Sequence, residues 1–136
     1  MVLRLVAAIF VVLHGLVHLF YFAQSQRLFE LQADMVWPDG SWAFSRLAGV
    51  DATRWLAGIA CILAAIGFVV AGGAILLGQG WWQPVVVGAA AFSTAIWLLF
   101  WDGKMQKLAN QGAIAILINL AILILTLVFH WPDFGF

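Results

Sequence analysis

Four stretches of nearly unbroken apolar residues organise the chain. Leu5 to Ala23 and Trp55 to Leu77 carry almost no polar side chain. Trp81 to Trp101 is interrupted only by Gln83, Pro84, Ser93 and Thr94, and Gly112 to Trp131 only by Asn119, Thr126 and His130. Each run is about 20 residues, enough to cross a hydrocarbon core of roughly 30 Å at 1.5 Å per residue. A strand barrel would need alternating polarity and many more segments. The pattern therefore predicts an all-α integral membrane bundle of four transmembrane helices, over about 3–23, 52–78, 81–101 and 112–131. They form one domain, 1–136, with a loop over 24–51 between the first two helices. The first run is too long for the apolar core of a signal peptide, and Tyr21 is bulky where a cleavage site needs a small residue, so it is expected to be a retained helix.

Within the loop, Leu28, Leu31 and Met35 share one helical face, with Phe29 and Val36 beside it. That spacing predicts a short amphipathic helix in the membrane interface, or a continuation of the first helix. Trp37-Pro38-Asp39-Gly40 reads as a type I turn, and Asp51 as the cap of the second helix. Small residues four apart, Ala57/Cys61 and Ala60/Ala64 on the second helix and Ala89/Ser93 and Ala91/Ala95 on the third, allow close helix packing in lipid. The fourth helix is bulky all round and is expected to face lipid except along the Asn119 stripe.

Composition narrows the class. Apolar residues make up 65% and charged residues 9%, where a soluble domain holds about 45–50% and about 25%. Twelve charged side chains could not keep such a chain dispersed in water, which excludes a soluble domain and a disordered segment. Six Lys and Arg balance six Asp and Glu, so the surplus that nucleic-acid binding needs is missing. The single cysteine, Cys61, excludes an internal disulfide, a CxxC pair and a thiolate cage, and reads as a small packed residue.

The cations set an orientation. The first and third loops hold Arg27, Arg46, Arg54, Lys104 and Lys107, while the other side holds only Arg4. The excess places those loops in the cytoplasm and both termini outside, in a cell inner membrane. Trp81, Trp82, Trp131, Phe134 and Phe136 would then belt the outer face, and Trp55, Trp97 and Trp101 the inner one.

Depth follows from topology. Counted from the inner ends, His18 and Asn119 lie roughly 7–10 Å in, and Thr94, Ser93, His14 and Cys61 roughly 10–14 Å. All four helices thus contribute a small or polar group to one layer. His14 and His18, four apart, share a helix face. His130 sits roughly 15 Å nearer the outer surface than His14, so a three-histidine metal site is not expected, and no carboxylate stands in a span to complete one. The layer reads either as hydrogen bonds between helices or as a pocket for a small ligand, a lipid or quinone headgroup, or a proton relay. At the inner mouth stand Arg54, Trp101, Asp102, Lys104 and Asn110. Asp102 and Lys104 could pair with each other or with Asp51 and Arg54, as interface anchors or as a charged gate.

Val12-Leu13-His14-Gly15-Leu16-Val17-His18-Leu19 resembles the LHGLIHL opening of a group of small bacterial four-helix membrane proteins. Trp101-Asp102-Gly103-Lys104 with Ala109-Asn110 resembles the W-x-D-x-K…A-N stretch that follows their third helix. The layout is similar to that of DoxX-like membrane proteins, although the first loop is longer here. The resemblance implies the fold and a bacterial membrane location, with no assigned activity.

No nucleophile elbow, P-loop, HExxH or membrane-embedded carboxylate pair occurs, so an enzyme is less expected than a binding protein. The leading expectation is an accessory bundle that binds a ligand or partner. The first alternative is a dimeric proton-coupled small-molecule transporter with a histidine as its titrating group. The second is a quinone- or haem-contacting subunit of a membrane oxidoreductase. The partners expected are the lipid bilayer, a second copy or another membrane subunit, and no nucleic acid. No resident cofactor or metal is expected under the leading reading.

Overall fold

The computed structural model describes residues 1–105 and 108–136. Lys107, counted above among the cations, lies outside them. The described chain is all-helical: α1 (Val2–Ser25), α2 (Ser45–Leu76), α3 (Trp82–Phe100), a 3-10 turn (Leu108–Gln111) and α4 (Ala113–Leu127). Three of these, α1 to α3, are long and apolar enough to cross a membrane. The fourth is equally apolar but has 15 residues, ending before the predicted 131. Its last carbonyls, on Ile124 and Leu125, accept from the Phe129 and Trp131 amides, and His130 adopts a left-handed φ of 48°. That geometry closes the helix, and Pro132 follows it.

Consecutive helices pack side by side and reverse direction, α1 on α2, α2 on α3 and α3 on α4. At one end Arg4 donates to the Leu76 carbonyl at 2.5 Å and lies 5.3 Å from the Phe136 ring, while Trp82 packs on Phe134. Arg4 thus places its charge on the carbonyls that end α2, where the helix dipole favours a cation. Along the seam of α1 and α2 the backbones nearly touch. A methyl built on Gly15 would stand 2.6 Å from Phe68 Cβ, and one on Gly72 would stand 2.5 Å from Val12 Cγ2.

Burial agrees with the packing expected for Ala57, Cys61, Ala64, Ala89 and Ser93, but Ala91 and Ala95 are exposed. On α4 the buried residues are Asn119, Ile122 and Thr126, one stripe as expected. Trp97 departs from expectation: it is buried in the bundle and is no part of an interfacial belt.

The first loop differs most. No helix forms over 26–36, which instead runs through turns and bends. Side chains have taken over the backbone groups that a helix would pair. Gln24 accepts from the Leu31 amide at 2.8 Å and donates to the Met35 carbonyl at 2.9 Å, and Arg27 donates to the Met35 and Val36 carbonyls at 3.2 and 3.0 Å. Arg27 and Asp34 themselves sit at positive φ, outside any helix. The predicted apolar face survives in part: Met35 is buried and Leu31 packs beside it, while Leu28 is exposed. The turn expected at Trp37–Gly40 is displaced. The hydrogen bonds instead close Val36 to Asp39 and Pro38 to Ser41, and the Trp37–Pro38 peptide is cis.

Helix α2 begins at Ser45, with a kink at Gly49 (φ 79°, ψ 171°), so the regular helix resumes near the predicted start at 52. Asp51 does not cap it. Its carboxylate is 94% exposed and stands 3.7 Å from Arg54.

Candidate functional site

The bundle interior holds a closed polar network. The spacing of His14 and His18 on α1 turns both rings toward α3 and α4, where Ser93 and Asn119 meet them. His14 Nε2 lies 2.8 Å from Asn119 Oδ1, Asn119 Nδ2 2.8 Å from Ser93 Oγ, and Trp97 Nε1 3.2 Å from the same oxygen. His18 Nε2 is 2.7 Å from Ser93 Oγ, and its Nδ1 is 3.1 Å from the His14 carbonyl. His18, Ser93 and Asn119 are wholly buried and His14 nearly so.

Proton bookkeeping fixes every role. Asn119 and Trp97 each bring an N–H to Ser93 Oγ, which fills both of its lone pairs. The serine hydroxyl must then donate to His18 Nε2, so that nitrogen is unprotonated and the ring is neutral, with its proton on Nδ1 facing the His14 carbonyl. With the Asn119 oxygen facing His14, His14 donates from Nε2. The chain of donors closes on itself, from His14 to Asn119 to Ser93 to His18 and back to the His14 backbone. Mutual polarisation strengthens each link in such a loop. Phe68 covers both rings, with centroids 4.7 Å from His14 and 5.6 Å from His18.

Of the six residues expected in this layer, four join the network and two do not. Thr94 donates to the Ala90 carbonyl of its own helix at 2.8 Å. Cys61 is buried among apolar neighbours that include Ala57, Ala64 and Trp97. Trp97, which the sequence reading assigned to a belt, is the fifth member.

The residues expected at the inner mouth divide into two groups. Arg54 does not reach Asp102 or Lys104. It makes a bidentate pair with Asp39 at 2.7 and 2.6 Å, and Arg27 contacts the same carboxylate at 2.5 Å. Partial burial works to raise the Asp39 pKa, but the hydrogen bonds and charges of Arg54 and Arg27 outweigh it and hold the carboxyl below its ordinary 3.8. A carboxylate with a depressed pKa stabilises the fold above its unfolded pKa, and that contribution disappears as pH falls through the folded value. The clasp is therefore complete at neutral pH and lost only below about pH 4. Asp39→Asn should free the loop at neutral pH, at about 1 kcal/mol. Limited proteolysis between 26 and 44 across a pH series checks both statements; equal cleavage of the variant and the parent chain at pH 7 contradicts them.

Asp102, Lys104 and Asn110 border a cleft of about 200 Å³ between the first loop and the segment after α3, whereas Trp101 lines a separate apolar groove. Trp37 and Phe100 form aromatic walls, and Asp34, Asp102, Lys104, Asn110 and Gln111 supply polar groups. Asp102 Oδ1 accepts from the Lys104 amide at 2.8 Å, and the Asp102 amide donates to Gln111 Oε1 at 3.2 Å. Trp101 donates to the Lys104 carbonyl at 2.9 Å, and the Tyr21 hydroxyl to the Asn110 carbonyl at 3.1 Å. Trp37 is 3% exposed, and its Nε1 is the only fully buried side-chain nitrogen or oxygen without a partner among the described residues. The Trp37 ring lies 5.4 Å from that of Trp97, which lies 5.6 Å from His18, so one stack joins the cleft wall to the network. Sequence reasoning had assigned Trp37 only to a turn. The signal it offered was a Trp within a loop that holds two, Trp37 and Trp42, which period analysis does not weigh.

Among the described residues no three His, Cys, Asp or Glu side chains gather as a metal group would require. No family model matches the chain, and no curated protein or solved structure does either.

Proposed function

We propose that the chain is a four-span inner-membrane protein with both termini outside the cytoplasm, an accessory bundle that binds a small amphipathic molecule at its cytoplasmic mouth. DoxX-like membrane proteins are the family this reading favours. One observation carries it: a cleft at the bundle end combines aromatic walls, a charged rim and the buried, unpaired indole N–H of Trp37. Leaving a buried donor unpaired costs about 1–3 kcal/mol, which an acceptor admitted by a shift of the cleft wall would relieve. The histidine layer supports the same division of labour. Four of its polar side chains are hydrogen-bonded to one another or to backbone, so it fastens α1, α3 and α4 together. His18, with both ring nitrogens engaged, would have to break that loop before it served a ligand or a travelling proton, whereas His14 keeps Nδ1 outside it. The fourth span rests on α4 plus the apolar Val128 and Phe129 that extend it.

Two measurements test the reading. In a Cys61→Ser background, Gln79→Cys should react with an impermeant thiol reagent from outside, and Leu47→Cys only after permeabilisation; the reverse pattern overturns the orientation. Native mass spectrometry of protein extracted in several mild detergents should show the chain carrying a small molecule that organic solvent releases. A bare chain in every detergent overturns the binding function.

A further inference from the structure

We infer that the cleft takes the headgroup of a phosphoethanolamine phospholipid, and that one of its acyl chains lies in the apolar groove between α3 and α4. This inference rests on the cleft being a binding site and names its ligand class. The donors come first. Trp37 Nε1 is buried and lacks an acceptor, and the Lys104 ammonium makes no ion pair among the described residues. Lys104 offers the charge for an anionic oxygen acceptor, a phosphate above all, and Trp37 a second donor once the cleft wall shifts to uncover its nitrogen. The acceptors come second. Asp34 and Asp102 border the same cleft, and neither carboxylate pairs with a cation among the described residues. With Lys104 on a phosphate, neither carboxylate would have a cationic partner, and a ligand of phosphate alone would not supply one. An ammonium beside the phosphate does, and its N–H groups would donate to the carboxylates. A choline headgroup offers no N–H, and a glycerol headgroup no cation.

The tail has a place to go. A second cavity of about 390 Å³, lined by Trp97, Leu98, Trp101, Leu108, Ile116 and Leu117, runs between α3 and α4 with almost no polar surface. Gln111 lines both cavities, so the polar cleft and the apolar groove meet there. A headgroup beside an apolar channel, at the end of helices long enough to cross a membrane, matches the two-part chemistry of a phospholipid.

The test is native mass spectrometry of the full chain, delipidated by detergent exchange and titrated with phosphatidylethanolamine, phosphatidylglycerol and phosphatidylcholine of matched chains, and with free phosphoethanolamine. One phosphatidylethanolamine per chain is expected, held about tenfold more tightly than either other lipid. Trp37→Phe, which keeps the ring and removes the donor, should weaken it about tenfold. Asp102→Asn should erase the preference over phosphatidylglycerol while leaving phosphatidylglycerol bound. Should Trp37→Phe fail to fold, Lys104→Met at an exposed position must weaken all three phosphate lipids. Equal retention of the three lipids, with Trp37→Phe still weakening each, overturns the ethanolamine assignment and leaves the cleft as a site. Free phosphoethanolamine binding as tightly as the lipid overturns the acyl groove. Insensitivity to Trp37→Phe and Lys104→Met overturns the placement in the cleft, and no bound lipid at all overturns the whole inference.

Discussion

Ser93→Ala is expected to lower the unfolding free energy by about 2–4 kcal/mol, while Thr94→Ala at the next position changes it by less than about 0.5 kcal/mol. Both substitutions delete one hydroxyl from the same turn of α3, and they differ in what that hydroxyl holds. Removing Ser93 Oγ orphans three groups at once: Asn119 Nδ2, Trp97 Nε1 and His18 Nε2. Hydrogen bonds between membrane helices average about 0.6 kcal/mol and reach about 1.7, so the two that leave α3 give about 1–3 kcal/mol, and the Trp97 bond within the helix adds about 1 kcal/mol. Thr94 returns its proton to the Ala90 carbonyl, a group already paired within the helix, and its loss strands nothing. Equilibrium unfolding in mixed micelles of rising SDS content, followed by tryptophan fluorescence, measures both. Equal effects at 93 and 94 would show that the network contributes nothing beyond a generic hydroxyl.

The same pair shows how far the sequence reaches. Counting residues from the helix ends placed Ser93 and Thr94 at one depth, which is correct, because depth depends only on the rise per residue. Membership in the network depends also on azimuth, and successive residues point about 100° apart. The count carried no azimuth for α3, so Thr94 entered with Ser93. Trp97, one turn below Ser93 on the same face, could have been found by applying to α3 the spacing that joined His14 to His18. It was lost because a tryptophan near a helix end also fits an interfacial belt.

The first loop was less legible for a different reason. Its order comes from residues far away in sequence. Helix α3 ends with carbonyls that have no intrahelical partner. Ser41 Oγ donates to Leu99 O at 2.8 Å, Trp42 Nε1 to Leu98 O at 2.7 Å, and the Trp42 amide to Trp101 O at 2.9 Å. The loop is therefore the cap of α3 as well as the wall of the cleft. An apolar period at Leu28, Leu31 and Met35 records only which side chains prefer burial, and it fits a bent chain held by Gln24 and Arg27 as well as a helix. The four apolar runs were legible because each is a long local pattern that neighbours do not alter. The cleft draws on three separate segments and has no such local pattern.

Gly15→Ala should lower stability by about 1–3 kcal/mol, whereas Gly88→Ala should raise it by up to about 1 kcal/mol. The sign differs because the two glycines face different surroundings. No heavy atom lies within 4 Å of a methyl placed on Gly88, so alanine there only removes the conformational freedom of glycine from the unfolded chain. At Gly15 the added methyl meets Phe68 Cβ at 2.6 Å and the Ala65 carbonyl at 3.1 Å. Both partners belong to α2, one of them backbone, so α1 and α2 must separate. That movement has a second consequence. Gly15 lies between His14 and the turn that carries His18, and Phe68 is the ring that covers both histidines. Pushing α1 away from α2 therefore displaces the imidazoles from Asn119 and Ser93 and strains the polar loop. The two substitutions should couple: Gly15→Ala together with Ser93→Ala is expected to cost at least about 0.5 kcal/mol less than the sum of the separate effects. The SDS titration reads this as a double-mutant cycle. Additivity within about 0.5 kcal/mol would mean that seam and network are independent, and that the close approach of α1 to α2 serves packing alone.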